Sequence, residues 1–305
     1  MGQSENSSGG FQPPKTSDGG SKPPLRQILT SATDRLKQHD IEAPDRLAEE
    51  LIAWVMGWPR LETALHLDDT LDSVQQARFE EAITRLAGHE PLQYIIGHTE
   101  FMGFPFKTDR RALIPRPETE VLVETVLGVN ALWEKKQPKV VDVGTGTGCI
   151  IISLSRLRPH GEYLGLDISS DALDLARENA ALNGVESRIE WREGDLLSAM
   201  KMQSLDAIVA NLPYIHEKEI ENLPRDVWLF EPRTALIGEG QGLNFINRLI
   251  DQASAWLVSG GPLFLEIGEK QGCEVRDRMR RAGYEEIRTI RDLAQRERII
   301  VGVQP

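Results

Sequence analysis

Little in this chain points to a secreted, metal-bound or membrane-embedded protein. It has only two cysteines among 305 residues, Cys149 and Cys273, far apart and in no ligand spacing. That excludes a disulfide framework and fits a reducing compartment. The six histidines show no metal-ligand spacing either, and no nucleophile triad or P-loop is present. No apolar run nears the roughly 20 residues of a membrane span. The first residues lack the apolar core of a signal peptide. Met1-Gly2 leads to Asn6 where a myristoylation pattern needs Ser or Thr. A basic excess is also missing, for 35 Lys and Arg face 47 Asp and Glu, a net charge of −12. Proteins that wrap nucleic acid usually show a basic face, because neutralising phosphates releases counterions. The expectation is a cytoplasmic protein, monomeric, with no metal, no membrane and no direct nucleic-acid partner.

Composition shifts divide what is there. Residues 1–24 are rich in Ser, Gly, Pro and Gln, read as a disordered tail. Residues 25–90 read as helical. Leu25, Ile28, Leu29, Ala32 and Leu36 share one face of a first helix. A second runs near Pro44 to Met56 with Leu47, Leu51, Ile52 and Val55 inward. A third spans Ser73 to Ala87 with Ser73 as its N-cap. This region carries no catalytic constellation, so it is either packing mass or a docking module for a large substrate. Residues 91–118 alternate around turn residues in Gln93-Tyr-Ile-Ile-Gly97 and Phe101-Met-Gly-Phe-Pro-Phe-Lys-Thr108, which predicts a hairpin linker. A helix from Pro117 to about Trp133 follows. Beyond it strands and helices alternate, the signature of a parallel α/β sheet. The strands expected are 139–143, 163–167, 188–192, 206–210, 262–267, 286–290 and 298–303, the last two as antiparallel partners at one edge.

Chemistry concentrates at strand ends. Gly144, Gly146 and Gly148 alternate with Thr145 and Thr147 directly after an apolar strand. Glycines there let the backbone approach a nucleotide cofactor at the start of a helix. Cys149 stands where a dinucleotide fingerprint would place its last glycine. Asp167 ends the next strand, where an acid accepts hydrogen bonds from ribose hydroxyls or caps the following helix. Asp195 ends the third, placed toward an adenine edge with Leu196 against the ring; a turn-capping role suits Asp195 as well.

Asn211-Leu212-Pro213-Tyr214 closes the fourth strand. An amide nitrogen is a poor nucleophile, its lone pair being delocalised into the carbonyl. The Asn211 side-chain oxygen and the carbonyl of residue 212 can accept its two N–H bonds and aim it at an activated methyl group. They also favour positive charge developing on that nitrogen. Tyr214 can wall the pocket. These residues point to methylation of an amide or amino nitrogen, with Asn211 and Tyr214 catalytic and 211–214 holding the substrate.

From about residue 25 onward the chain resembles the release-factor glutamine methyltransferases (PrmC/HemK family). The resembling segments are Pro91-Leu-Gln-Tyr-Ile-Ile-Gly97, Leu113-Ile-Pro-Arg-Pro-Glu-Thr-Glu120, Asp142-Val-Gly-Thr-Gly-Thr-Gly148, Asn211-Leu-Pro-Tyr-Ile215, Phe230-Glu-Pro232, Gly240-Gln-Gly-Leu243 and Leu265-Glu-Ile-Gly268. The resemblance implies S-adenosyl-L-methionine (AdoMet) as donor and the glutamine of the release-factor Gly-Gly-Gln motif as acceptor. It implies an N-terminal helical domain that helps hold the release factor. It also places Arg116 and Glu118 at the border of the cofactor pocket. One departure lies in the site, since Leu212 stands where the family has Pro. The acceptor there is a backbone carbonyl, which Leu also supplies, and Leu212 precedes Pro213, which favours the same extended geometry.

The expected fold is therefore a seven-stranded, Rossmann-like AdoMet-dependent methyltransferase domain over 119–305, preceded by a helical docking domain (25–90) and a hairpin linker (91–118). Two other readings stay open, a methyltransferase for adenine or guanine amino groups and a silent AdoMet-binding adaptor.

Overall fold

Amphipathic periodicity builds the first elements. The computed structural model describes residues 22–198, 200 and 204–305. Helix α1 (Leu25–Gln38) buries Leu25, Ile28, Ala32 and Leu36, and α2 (Pro44–Met56) buries Ala48, Leu51, Ile52 and Val55. Helix α3 (Ser73–Ala87) is capped by Asp72 and not by Ser73. Asp72 Oδ1 accepts the Val74 and Gln75 N–H groups while Gln75 Oε1 accepts the Asp72 N–H, so the reciprocal pair wins the cap. The chain forms two compact units, one ending at Ile83 and the other beginning at Thr84, within α3. The tail expected over 1–24 lies outside the described residues except at 22–24, where Pro24 bridges Thr70 and the Leu25 N–H donates to the Asp69 carbonyl at 2.8 Å.

After α3 comes α4 (Leu92–Ile96), a short helix where alternation had suggested a strand; Gly97, at φ +83°, ends it. Strands β1 (His98–Phe101) and β2 (Phe104–Lys107) pair as a hairpin across Met102-Gly103, both at positive φ as a two-residue turn demands. Helix α5 (Pro117–Leu127) stops at Gly128, and α6 (Asn130–Trp133) is a separate turn. Then follow β3 (Lys139–Val143), α7 (Cys149–Leu157), β4 (Glu162–Asp167), α8 (Ser170–Leu182), β5 (Ile189–Glu193) and β6 (Ala207–Ala210). Short helices α9 (Arg225–Phe230), α10 (Arg233–Leu236) and α11 (Glu239–Gly242) lead to α12 (Asn244–Ala253), β7 (Pro262–Glu266), α13 (Gly272–Arg281), β8 (Glu285–Arg291) and β9 (Glu297–Val303).

The seven strands form one sheet in the order β5-β4-β3-β6-β7-β9-β8. All pairs are parallel except those of β9, which runs antiparallel to β7 and to the edge strand β8. Side chains alternate across it. Val141, Val143, Ile208, Ala210 and Leu263 pack with Ile246, Leu249 and Ile250 of α12. Val140, Ala207, Val209 and Phe264 pack on the other side with Leu122 and Val126 of α5 and Ile151 and Leu154 of α7. Layers of helix on both faces explain why these strands are apolar throughout. No described helix is long and apolar enough to cross a membrane.

Candidate active site

Strand order reverses between β3 and β6. Both run the same way, so their carboxyl ends open a single crevice. A cavity of about 430 Å³ fills it, within the range of small-molecule sites. Gly144 to Thr147, Asp167, Asp195, Leu196, Asn211, Leu212, Pro213 and Arg116 all line it. Gly148, Glu118 and Tyr214 do not. Gly148 caps α7, where an added Cβ would lie 2.8 Å from Ile152, so it serves packing. Glu118 is exposed at the start of α5, and its neighbour Thr119 reaches the cavity instead. Tyr214 is half-buried and packs against the core of the α12 face.

The glycine loop is tied down at several points. The Gly144 and Thr145 N–H groups donate to the Leu166 carbonyl at 2.8 and 2.9 Å. Asp167 Oδ2 accepts the Gly146 N–H at 2.8 Å and its Oδ1 accepts that of Ser169 at 2.9 Å. Asp167 is thus a loop clamp facing the cavity. The cap of α8 is Ser169, whose hydroxyl accepts the Ala172 N–H. Beneath the loop, Thr145 donates to Asp142 at 2.6 Å. Burial pushes Asp142 up to about 7, and that hydrogen bond opposes the shift only in part. Asp195 accepts from Arg248 at 2.5 Å through Oδ2. Leu196 is buried with φ +53°.

At the other wall, Asn211 Nδ2 donates to Thr119 Oγ1 at 3.1 Å. Among the described residues no hydrogen bond reaches Asn211 Oδ1 or the Leu212 carbonyl. The segment after Tyr214 is braced from three sides. Gln271 Nε2 donates to the Tyr214 carbonyl at 2.9 Å, and the Gly268 N–H donates to Gln271 Oε1 at 2.9 Å. Ile215 bridges Leu236 and Gly238. A Cβ on Gly242 would sit 2.2 Å from the Tyr214 carbonyl oxygen, so only glycine fits there.

Three groups escaped the reading of the sequence. Glu231, almost fully buried, pairs with Arg116 and accepts the Ile114 N–H at 3.2 Å. Burial raises its pKa and Arg116 opposes the rise. Thr119 and Glu266 are each only 2% exposed. Burial pushes Glu266 up to about 7, while the hydroxyls of Thr119 and Tyr214 and the Arg298 guanidinium pull it down. Their partners are remote in sequence, so spacing carries no sign of them. The only signal is that Arg116, Thr119, Glu231 and Glu266 all fall in the segments that carried the resemblance.

A glycine loop, an acid ending the next strand and Asn-x-Pro-Tyr ending the fourth, on a sheet closed by an antiparallel strand, define a methyltransferase-type α/β domain. A methyltransferase small domain family matches residues 119–228, and a PrmC N-terminal domain family matches residues 27–97. A release factor glutamine methyltransferase from Moorella thermoacetica is 40% identical over 275 residues, covering 90% of this chain and 96% of the relative. One from Koribacter versatilis is 38% identical, covering 92% and 99%. Among solved structures, the hMettl16 catalytic domain in complex with a MAT2A 3′UTR hairpin covers 95% of both chains at 16% identity and a TM-score of 0.55, a likeness of fold. The chain belongs to the release factor glutamine methyltransferase family.

Proposed function

We propose that this protein transfers a methyl group from AdoMet to the side-chain amide nitrogen of the glutamine in the Gly-Gly-Gln motif of peptide chain release factors. One observation carries the reading beyond family membership. Asn211 and Leu212 both line the cavity, and two of their acceptors, Asn211 Oδ1 and the Leu212 carbonyl, are left unpaired. A primary amide presents two N–H donors, which such a pair matches.

The residues present suit AdoMet. Its sulfonium and ammonium are cationic, and the cavity floor carries Asp167 with Asp142 beneath. Asp167 offers its remaining lone pairs to ribose hydroxyls. Leu196 supplies an apolar face for adenine, and Asp195 offers Oδ1, which Arg248 leaves free. The Gly144–Thr147 backbone lets the cofactor approach closely. Arg116 closes the rim. AdoMet, when bound, supplies a methyl carbon to which the amide nitrogen bonds as the sulfur–carbon bond breaks, and the displaced proton leaves to water.

Asn211 and Leu212 hold the acceptor nitrogen in line and stabilise the charge that grows on it. Pro213 and Tyr214 fix the backbone that presents them. The helical domain at the N-terminus helps hold the release factor, a protein surface that a peptide lacks. On this reading the protein acts in the cytoplasm, as a monomer. Incubation with isotopically labelled AdoMet and purified release factor, then mass mapping, tests the reading. The label belongs on the Gly-Gly-Gln glutamine; label on adenine-containing DNA and none on the release factor would overturn it.

A further inference from the structure

We propose that Thr119 is a positioning residue for this reaction, its hydroxyl steered by the buried Glu266 carboxylate so that the amide of Asn211 turns its oxygen to the acceptor. The inference rests on the methyl-transfer reading above and deepens it.

The two ends of an asparagine amide are nearly equal in size and opposite in chemistry. Nothing steric prevents Asn211 from presenting its NH₂ to the cavity, where it would repel an N–H donor. Something must choose, and the structure shows the choice: Nδ2 is held on Thr119 Oγ1 at 3.1 Å. A threonine hydroxyl has one proton and could as well donate to Oδ1. Which it does depends on where that proton is drawn.

Thr119 lies in the first turn of α5 with its side chain buried, so solvent does not compete for it. Close by is Glu266, the last residue of β7 and likewise buried. An ionised carboxylate only accepts. It draws the Thr119 proton, leaves the hydroxyl oxygen to accept, and so admits only the nitrogen end of Asn211. Glu266 has capacity for this, since its buried Oε2 has no hydrogen-bond partner among the described residues. The other groups that face it are the Tyr214 hydroxyl, Arg298 of β9, Glu118 of α5 and the Cys149 thiol of α7. None of these offers Asn211 an alternative partner in the structure.

A protonated Glu266 reverses the chain. It donates to Thr119, the Thr119 proton swings to Asn211 Oδ1, and the cavity loses its acceptor oxygen. The reaction therefore acquires an acid limb whose midpoint is that of Glu266, near 7.

The test compares wild type, Thr119→Val, Thr119→Ser and Glu266→Gln. Each is measured for kcat and KM with release factor, AdoMet affinity, melting temperature and pH–rate profile. The side-chain NH₂ signals of Asn211 are followed by NMR in the same proteins. Thr119→Val is isosteric and should lower kcat on the order of ten- to a hundredfold, the scale of a misplaced reacting group. Its AdoMet affinity should stay at the wild-type value, while its melting temperature falls modestly because Asn211 Nδ2 loses a partner. Thr119→Ser should recover most of the loss. The acid limb should vanish in Glu266→Gln, and the Asn211 NH₂ signals should titrate with the same midpoint in wild type and Thr119→Ser but not in Thr119→Val or Glu266→Gln. A Thr119→Val enzyme with wild-type kcat, or one that loses affinity, stability and kcat together, overturns the proposal. If wild type fails to methylate any release factor while the NH₂ signals still titrate and shift in Thr119→Val, the substrate reading falls and the positioning role stands.

Discussion

Leu212 and Gly144 meet at the floor of the crevice: a Cβ on Gly144 would lie 2.9 Å from Leu212 Cδ2. The Leu212 side chain is buried in the core on the α12 face, so the residue that stands where the resemblance expects proline packs inward beside the cavity. Its carbonyl remains unpaired. On our reading side chain and carbonyl do separate work, one in packing and one at the site.

Leu212→Pro should therefore cost stability, about 1–3 kcal/mol from lost apolar packing, while changing turnover only modestly. Chemical denaturation and steady-state kinetics on one preparation separate the two. If Leu212→Pro instead switched on an inactive wild type, the leucine would have disabled the site, and the protein would be an adaptor.

Asp167→Ala removes the acceptor that holds the Gly146 N–H and, on our reading, the ribose hydroxyls. AdoMet binding should weaken by roughly 1.5–3 kcal/mol, the worth of hydrogen bonds to a charged group. Titration calorimetry measures this directly. An unchanged dissociation constant would confine Asp167 to a structural role in the loop.

Arg116→Met leaves Glu231 buried without its cation. Loss of one partner of a fully buried pair costs about 3–5 kcal/mol, and because Arg116 is a third exposed the cost here should lie below that. Because burial already raises Glu231, protonation relieves the cost, so the melting temperature should fall more at pH 8 than at pH 5. Equal losses at both would mean that the pair contributes little charge energy.

Glu266→Gln should change how stability depends on pH. The folded-state pKa of Glu266 is raised from 4.5 to about 7. Its contribution is fully present below 4.5 and is lost as pH rises through 7, up to roughly 3 kcal/mol. The variant lacks that loss. Its melting temperature relative to wild type should climb between these two values; a constant difference would place Glu266 at an ordinary pKa. Asp142, raised likewise to about 7, leaves the variant a residual slope.

What was legible in the sequence follows from what local chemistry records. The sheet could be read because its strands are buried on both faces and appear as apolar runs between glycine, proline and aspartate. That Asn211 to Pro213 line the crevice could be read because a strand end fixes where a motif must open. Gln93 to Gly97 misled because a one-turn helix and a short strand share an apolar pattern, and the choice falls to the Gly97 cap. Ser73 misled because Gln75 favours Asp72 through a reciprocal bond. The Arg116–Glu231 pair and the Thr119–Asn211 contact were invisible for a different reason. They join α5, or the loop before it, to segments near and beyond β6, and no spacing rule spans that distance.

The central claim is that Asn211 positions the acceptor and contributes far less to holding the cofactor. Steady-state turnover of Asn211→Ala with release factor, set beside its AdoMet dissociation constant, tests this most directly. The expected result is a fall in kcat of about a hundredfold or more, the scale of losing one positioned polar group at a reacting centre, with AdoMet affinity falling much less. Turnover at the wild-type rate, or a loss of AdoMet binding as large as the loss of turnover, would contradict it.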